Sequence, residues 1–436
     1  MLFTMVVDNI QHLQNNLGDT VFLYPIPQDD RLHRSCPIIG FVLIDIATKQ
    51  VYTVANGHPE GVYNNSSLDY LTNKKVYCYN AMLLKYAGYD TSEYLDVRMQ
   101  YYLYTNQGYT QETSGIISHY TRQFQNCFMI NHLIPLYKHE EIAKQVCEDI
   151  FIKDPQQGLS FYQNDLMDVF YNIEKNGLSI HQEVFVERFG TTISRQREFC
   201  YTEYNFYTTT GRPSNRFGGI NFAALNKEDN TRDAFNSRYL DGNLVELDFN
   251  SYHPRLIAQL IDYDFGSDNV YEHLATYYAN TPTPTQEQIE SAKEDTFRQL
   301  YGGIQQQYLH IPFFAKTNDL AKYLWKTIND KGYIESPISG RRIYLHNHSD
   351  LNAGVLFNYF VQMYETETNV ILLKNIHKHL EGKLTKPILY TYDSVLFDVP
   401  PEEHDYLLNI VIPKSIDLTK FPIKIKQGKT YRNMQV

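Results

Sequence analysis

Two aspartates in this chain stand where apolar strands end. Leu244-Val245-Glu246-Leu247-Asp248-Phe249-Asn250-Ser251-Tyr252-His253-Pro254-Arg255 reads as an apolar strand closing on a carboxylate. A helix comes next, with Pro254 near its first turn. At such a junction Asp248 or Asn250 either caps the helix or, as a strand-end oxygen donor, helps hold a divalent cation. The segment from Pro387 to Pro400 reads as two apolar runs around a short polar break, a hairpin with Asp393 at or near its turn. There Asp393-Ser394 is either simple turn chemistry or a second source of metal-binding oxygen.

Three further segments carry groups that suit a polyanion. From Thr285 to Gly303 the chain opens with a capping-box pattern, Thr285 followed by Gln288. Ile289, Lys293, Phe297 and Tyr301 then recur every four residues and so share one helix face. A cation beside two rings can take a phosphate and stack a base; the same spacing also describes an amphipathic helix with a snorkelling lysine. The polar stretch Thr209 to Asn221 carries Arg212 and Arg216, suited to phosphate contacts. Asn358 and Gln362 lie on one helical face, and side-chain amides can donate to the minor-groove acceptors that every base pair presents.

These groups need elements to position them. Residues 1 to about 140 read as mixed α/β: strands at Val21 to Tyr24 and Ile38 to Ile44, a partner at Gln50 to Val54 after a turn at Thr48-Lys49, and a strand at Lys75 to Tyr79 leading into a helix near Ala81 to Leu84. From about 140 to 200 the pattern is helical, with Leu166, Val169, Phe170 and Ile173 at helical spacing and a stop at Asn176-Gly177. Pro282-Thr283-Pro284 breaks the chain directly before the Thr285 helix. At 436 residues there is room for about three domains of roughly 150 residues each. A content of 43% hydrophobic and 20% charged residues excludes a disordered chain. No apolar run approaches the roughly 18 residues needed to span a bilayer, and Met1-Leu2-Phe3-Thr4 does not open a secretory signal.

The five cysteines (Cys36, Cys78, Cys127, Cys147, Cys200) are odd in number and scattered, without a Cys-x-x-Cys pair. Neither a disulfide framework nor a structural zinc site is expected, and a reducing cytoplasm fits. The net charge of −11 means that any nucleic acid must be held by local basic patches. Lys414, Lys420, Lys424, Lys426, Lys429 and Arg432 are one candidate; they equally describe a solvated, lysine-lined edge.

Taken in order, these segments resemble the A family of DNA polymerases, the DNA polymerase I family, over roughly residues 160–436. Thr210-Gly211-Arg212-Pro213-Ser214 is similar to the family's Thr-Gly-Arg-Leu-Ser loop. Asp248 sits where motif A places its metal-binding aspartate, and Asp393 matches that of motif C. Lys293, Phe297, Tyr301 and Gly302 match motif B, Gly340-Arg341-Arg342 with Tyr344-Leu345 the Gly-Arg-Arg-x-Tyr-Leu stretch, and Asn358 with Gln362 the amide pair. Ile173 to Ile180 resembles the segment before the thumb.

The resemblance implies an α/β (α+β) right-hand fold, with an antiparallel palm sheet, helical fingers and an N-terminal ribonuclease-H-like, 3′–5′ exonuclease-type domain. It divides the chain into an inactive exonuclease-like domain (1–140), a truncated thumb and connector (141–210), palm (211–250 and 335–436) and fingers (251–334). It implies two Mg²⁺ ions, with Mn²⁺ able to substitute, held by Asp248, Asp393 and the Phe249 main-chain carbonyl. It implies Lys293, Phe297, Tyr301 and His253 at the dNTP, and Arg212, Asn221, Arg342, Asn358, Gln362 and Tyr392 at primer–template DNA. The function implied is DNA-directed DNA synthesis in replication or repair, of phage, viral or plasmid type, in the cytoplasm of a bacterial cell or infected host, with a processivity factor or other replication protein as partner and no membrane.

Departures from the family pattern bear on this. His253 stands where the family carries a glutamate that helps reject ribonucleotides, Ile289 replaces an arginine, and Tyr392 and Ser394 replace the His and Glu beside the motif C aspartate. The span from Gly177 to Gly211 is short for a thumb, so a weak grip on duplex DNA is expected. The first strand, Phe22 to Ile26, lacks an Asp-x-Glu pair, and Asn80 to Leu84 resembles the second exonuclease motif without its aspartate. Asp29, Asp30 and Asp96 are then expected to be ordinary surface acids. Two other functions stay open: a polymerase with relaxed sugar selectivity or a primer-making role, and a catalytically inactive DNA-binding protein.

Overall fold

A computed structural model describes residues 5–6, 10–29, 33–62, 64–109, 129–190, 198–215, 220–226, 229–266 and 269–435. Asp30, Cys127 and the Arg216 end of the polar loop lie outside the described residues. The chain forms two compact units, Met1–Met167 and Asp168–Val436.

The first unit is built on a six-stranded sheet of β1 (Met5–Val6), β2 (Thr20–Pro27), β3 (Ile38–Asp45), β4 (Val51–Ala55), β5 (Lys75–Cys78) and β6 (Leu95–Asp96), in the order β1-β4-β3-β2-β5-β6. β2, β3 and β4 pair antiparallel, and β5 and β6 join in parallel. The sheet is therefore mixed, antiparallel from β4 to β2 and parallel from β2 to β6. β3 and β4 are buried at every position, which is why they read as unbroken apolar runs rather than as alternating ones. The expected turn at Thr48-Lys49 forms: Lys49 has φ 63°, and Asp45 accepts the N–H groups of Ala47 and Thr48.

Helix α1 (Leu136–Ile150) packs Leu136, Ile142, Ala143, Val146 and Ile150 into this unit's core. The unit therefore reaches Met167 rather than ending near residue 140. The buried acids also correct an expectation. Asp29 and Asp96 are fully buried, not on the surface. Asp96 caps the helix Val97–Thr105 by accepting from Met99 N–H and also accepts from Ala81 N–H, so backbone donors replace its lost hydration.

The second unit centres on an antiparallel sheet of β7 (Asn243–Phe249), β8 (Lys386–Tyr390), β9 (Ser394–Val399) and β10 (Ile423–Gly428), in the order β8-β9-β7-β10. Leu244, Ile388, Leu389, Leu396 and Tyr431 fill one cluster with Phe185, Phe222 and Phe235. Five helices carry or brace the candidate residues: α2 (Tyr252–Leu260), α3 (Val270–Tyr278), α4 (Gln286–Gly302), α5 (Pro312–Lys331) and α6 (Ala353–His379). Their shared core joins Ile257, Leu274, Leu300, Phe313, Phe314, Ile328, Leu356, Phe360 and Met363. Burying that much apolar surface fixes the helices that carry Lys293, Asn358 and Gln362. The helix before Gly177 ends at Glu174, and Gly177 takes the left-handed φ of 61° that the stop requires.

Candidate active site

Asp248 and Asp393 come together through strand register. β7 pairs with β9 so that Asp248 lies opposite Ser394, and Phe249 N–H donates to the Asp393 carbonyl at 2.9 Å. Asp393 occupies a two-residue hairpin turn between Thr391 and Ser394, whose backbones bond to each other and whose hydroxyls lie 2.6 Å apart. Its neighbour Tyr392 has φ 65°, a left-handed conformation that is rare for a bulky residue. Asn369 on α6 steadies that turn by donating to the Tyr392 carbonyl (3.0 Å) while accepting from Tyr252 Oη (2.5 Å). Asp248 does not cap α2, and neither does Asn250: the N-cap is Ser251, which makes no side-chain cap bond.

Both aspartates line an open cleft of about 720 Å³, together with Arg212, Phe249, His253, Tyr271, Lys293, Phe297, Tyr301 and Glu365. α4 owes its start to the expected capping box: Thr285 Oγ1 accepts from Gln288 N–H, and the Gln288 side chain accepts from Thr285 N–H. Its buried face is Ala292, Thr296, Gln299 and Leu300, which turns Lys293, Phe297 and Tyr301 to the cleft. The Phe297 and Tyr301 rings stack at 5.9 Å, and Lys293 Nζ lies 5.9 Å from the ring centre of Tyr271.

Glu365 is a site residue that the sequence reading missed. It lies on α6 one turn beyond Gln362, fully buried, and extending the Asn358–Gln362 face by three residues would have found it. Its oxygens are 3.0 Å from Arg212 Nε and 2.9 Å from His253 Nε2. His253 in turn lies 2.5 Å from Tyr301 Oη through Nδ1. Asn358 donates to the Tyr301 carbonyl at 3.4 Å, and Thr210 Oγ1 donates to Gln362 Oε1 at 3.1 Å. Arg212 follows Gly211, which has φ 77°, and its guanidinium lies 3.8 Å from the ring centre of Tyr392. The fully buried Arg341 secures the same loop by donating to the Thr209 carbonyl.

Not every expected residue converges on the cleft. Tyr392, Asn358 and Gln362 adjoin lining residues without lining the cleft themselves, Asn221 is exposed and outside it, and Arg342 pairs with Glu335 at 2.9 Å over the Tyr333 ring. Of the C-terminal cations, Lys414, Lys420 and Lys424 are exposed, while the other three are engaged by the protein. Lys426 bonds to Glu246 and Asp248, Lys429 to the Gly242 carbonyl, and Arg432 to Asp233.

The electrostatics suit a cation. Burial, then the charge of Asp248, raises the Asp393 carboxyl above its usual range. Lys426 Nζ stands 2.6 Å from Asp248 Oδ2 and 3.0 Å from Glu246 Oε2, an ammonium where these acids need positive charge. No group of three or more His, Cys, Asp or Glu placed for a metal occurs among the described residues, so such an ion would draw on two carboxylates, backbone oxygen and its substrate. No helix among the described residues is long and apolar enough to cross a membrane.

No family model matches the chain, and no curated protein matches it. Among solved structures it is similar to the POL domain of Pol1 from M. smegmatis in complex with DNA primer-template and dNTP. The TM-score is 0.70 and the identity 13%, over 99% of this chain and 99% of that one. The fold is that of a DNA polymerase domain.

Proposed function

We propose that this chain is a DNA-directed DNA polymerase, extending a primer 3′-hydroxyl by template-directed transfer from dNTPs. The observation that carries this reading is the convergence of Asp248 and Asp393 in one cleft with the Lys293–Phe297–Tyr301 face. The M. smegmatis domain of like fold holds primer-template and dNTP, which supports the same partners here.

Asp248, Asp393 and the Phe249 carbonyl would hold Mg²⁺, which when bound supplies activation of the primer hydroxyl and neutralisation of the leaving pyrophosphate, with Mn²⁺ able to replace it. Lys293 binds triphosphate oxygens, Phe297 stacks on the incoming base, and Tyr301 packs by the templating base. His253, fixed between Glu365 and Tyr301, sits at the sugar. Arg212 in the cleft meets the primer–template, with Tyr392, Asn358, Gln362, Asn221 and Arg342 contacting DNA beyond it. The family of this reading is the A family, with palm at 211–250 and 335–436, fingers at 251–334 and a shortened thumb between Gly177 and Gly211. The short thumb supports a need for a processivity partner, and the compact plan a phage, viral or plasmid system in the cytoplasm.

Proofreading is absent in this reading. The buried acids of the first unit bond to protein groups: Asp45 to three backbone N–H groups, Asp96 to two, Glu140 to Thr53, and Asp29 to Ile130 N–H. Those bonds support a role in folding rather than in holding catalytic ions. A relaxed choice of sugar is a second reading, favoured by an imidazole at His253 where a carboxylate is the family's choice.

The test is extension of a labelled primer–template with Mg²⁺ and dNTPs or rNTPs, with a 3′-mismatched primer alongside. Extension with dNTPs and no primer shortening is expected. Tight primer–template binding without extension would overturn the reading in favour of a DNA-binding protein.

A further inference from the structure

The edge strand β10 runs antiparallel to β7, so Glu246 opposes Lys426 and Asp248 opposes Lys424. Directly opposed residues point to the same face, as do residues two apart along a strand. Two acids and two lysines therefore share the face of the sheet that carries Asp248. Lys426 takes the diagonal as well as the direct contact, reaching both Asp248 Oδ2 and Glu246 Oε2. The other groups donating to Glu246 are neutral hydroxyls, Tyr431 Oη at 3.3 Å and Ser394 Oγ at 3.5 Å. Among the described residues, Lys426 is the ion-pair partner of Asp248.

A lysine ammonium and a divalent cation on the same carboxylate oxygen repel strongly at these distances. The lysine stem is flexible, and its ammonium can leave Asp248 while keeping Glu246. We propose that Lys426 is an ionic latch on Asp248: in the free protein its ammonium occupies the carboxylate, and a divalent cation binds there only by displacing it. Metal affinity of the free protein is thereby kept low, so that an ion gains most when a substrate phosphate adds its own oxygens. This inference rests on the proposed role of Asp248 as a metal ligand.

The experiment is a Mn²⁺ titration of the full chain followed by electron paramagnetic resonance, without nucleotide or DNA. Lys426→Met is expected to bind Mn²⁺ on the order of tenfold more tightly than the unmodified chain, because one positive charge leaves the site. Lys426→Arg and the distant surface substitution Lys414→Met are expected to leave affinity unchanged, and Lys426→Met combined with Asp248→Asn to lose the gain. Lys426→Gln repeats the test if the methionine variant fails to fold by circular dichroism. Unchanged or weaker binding in Lys426→Met, with binding still sensitive to Asp248→Asn, would overturn the latch and leave the metal site standing. A gain that survives Asp248→Asn would also overturn the latch. Binding insensitive to Asp248 in every variant would overturn both the latch and the metal role beneath it.

Discussion

His253 Nε2 lies 2.9 Å from Glu365 Oε1, and the carboxylate it meets is wholly buried. Arg212 approaches the other oxygen of the same group, so one acid on α6 joins a residue at the start of α2 to the polar loop. Removing one partner of a buried ion pair leaves the other uncompensated and costs about 3–5 kcal/mol. Glu365→Ala is therefore expected to lower urea stability by about 3 kcal/mol, and Glu365→Gln by less. In a double-mutant cycle, Glu365→Gln and His253→Ala are expected to couple by about 1 kcal/mol or more. Additive effects would contradict a shared network.

Helix α4 presents Lys293, Phe297 and Tyr301 only if its first turn holds. Thr285→Ala removes the capping hydroxyl and is expected to cost about 1 kcal/mol in thermal or urea unfolding. Folding and primer–template binding are expected to persist, while the KM for nucleotide rises more than kcat falls. A loss of kcat with KM unchanged would place the helix's role elsewhere.

Burial pushes two histidines down to about 4: His139, whose bond to the Asn131 carbonyl offsets only part of the effect, and His377, where Lys175 adds to it. Both are neutral in the folded chain at pH 6, while the unfolded chain protonates near pH 6.5. The unfolded state thus binds more protons between these values, and stability must fall as pH drops from 6.5 towards 4. The expected slope is about 1.4 kcal/mol per pH unit for each histidine once below 6. Urea midpoints at pH 7, 6 and 5 measure it, and His377→Gln should flatten the curve; a flat profile in the unmodified chain would contradict the assignment.

Asp96 serves the fold of the first unit. Asp96→Ala leaves two helix-end N–H groups without their acceptor and is expected to cost about 1–3 kcal/mol. A mismatched primer is expected to stay full length with either protein. Primer shortening by the unmodified chain that Asp96→Ala abolished would show Asp96 to be a nuclease ligand.

Much of this was legible in the sequence because it is local. The turn at Thr48-Lys49, the capping box at Thr285 and the four-residue spacing from Lys293 to Tyr301 depend on neighbours a few positions away, and all appear in the structure. Strand ends marked Asp248 and Asp393, but their meeting depends on register between β7 and β9, which no short window contains. Glu365 shares a helix face with Gln362, but its partners Arg212 and His253 are more than a hundred positions upstream, beyond any local window. Lys426 read as part of a lysine-lined edge; only the pairing of β10 with β7 sets it against Glu246 and Asp248. Asp29 and Asp96 misled in the opposite direction, because backbone N–H groups of Ile130 at Asp29, and of Ala81 and Met99 at Asp96, satisfy carboxylates that the fold buries.

The most direct measurement is single-turnover incorporation of one correct dNTP on a primer–template, comparing the unmodified chain with Asp393→Asn and Asp248→Asn while measuring primer–template affinity on the same preparations. The expected result is rapid incorporation by the unmodified chain, a loss of at least about a thousandfold in either variant, and DNA affinity within a few-fold of the parent. Incorporation that survived both substitutions, or an unmodified chain that bound DNA and incorporated nothing, would contradict the account.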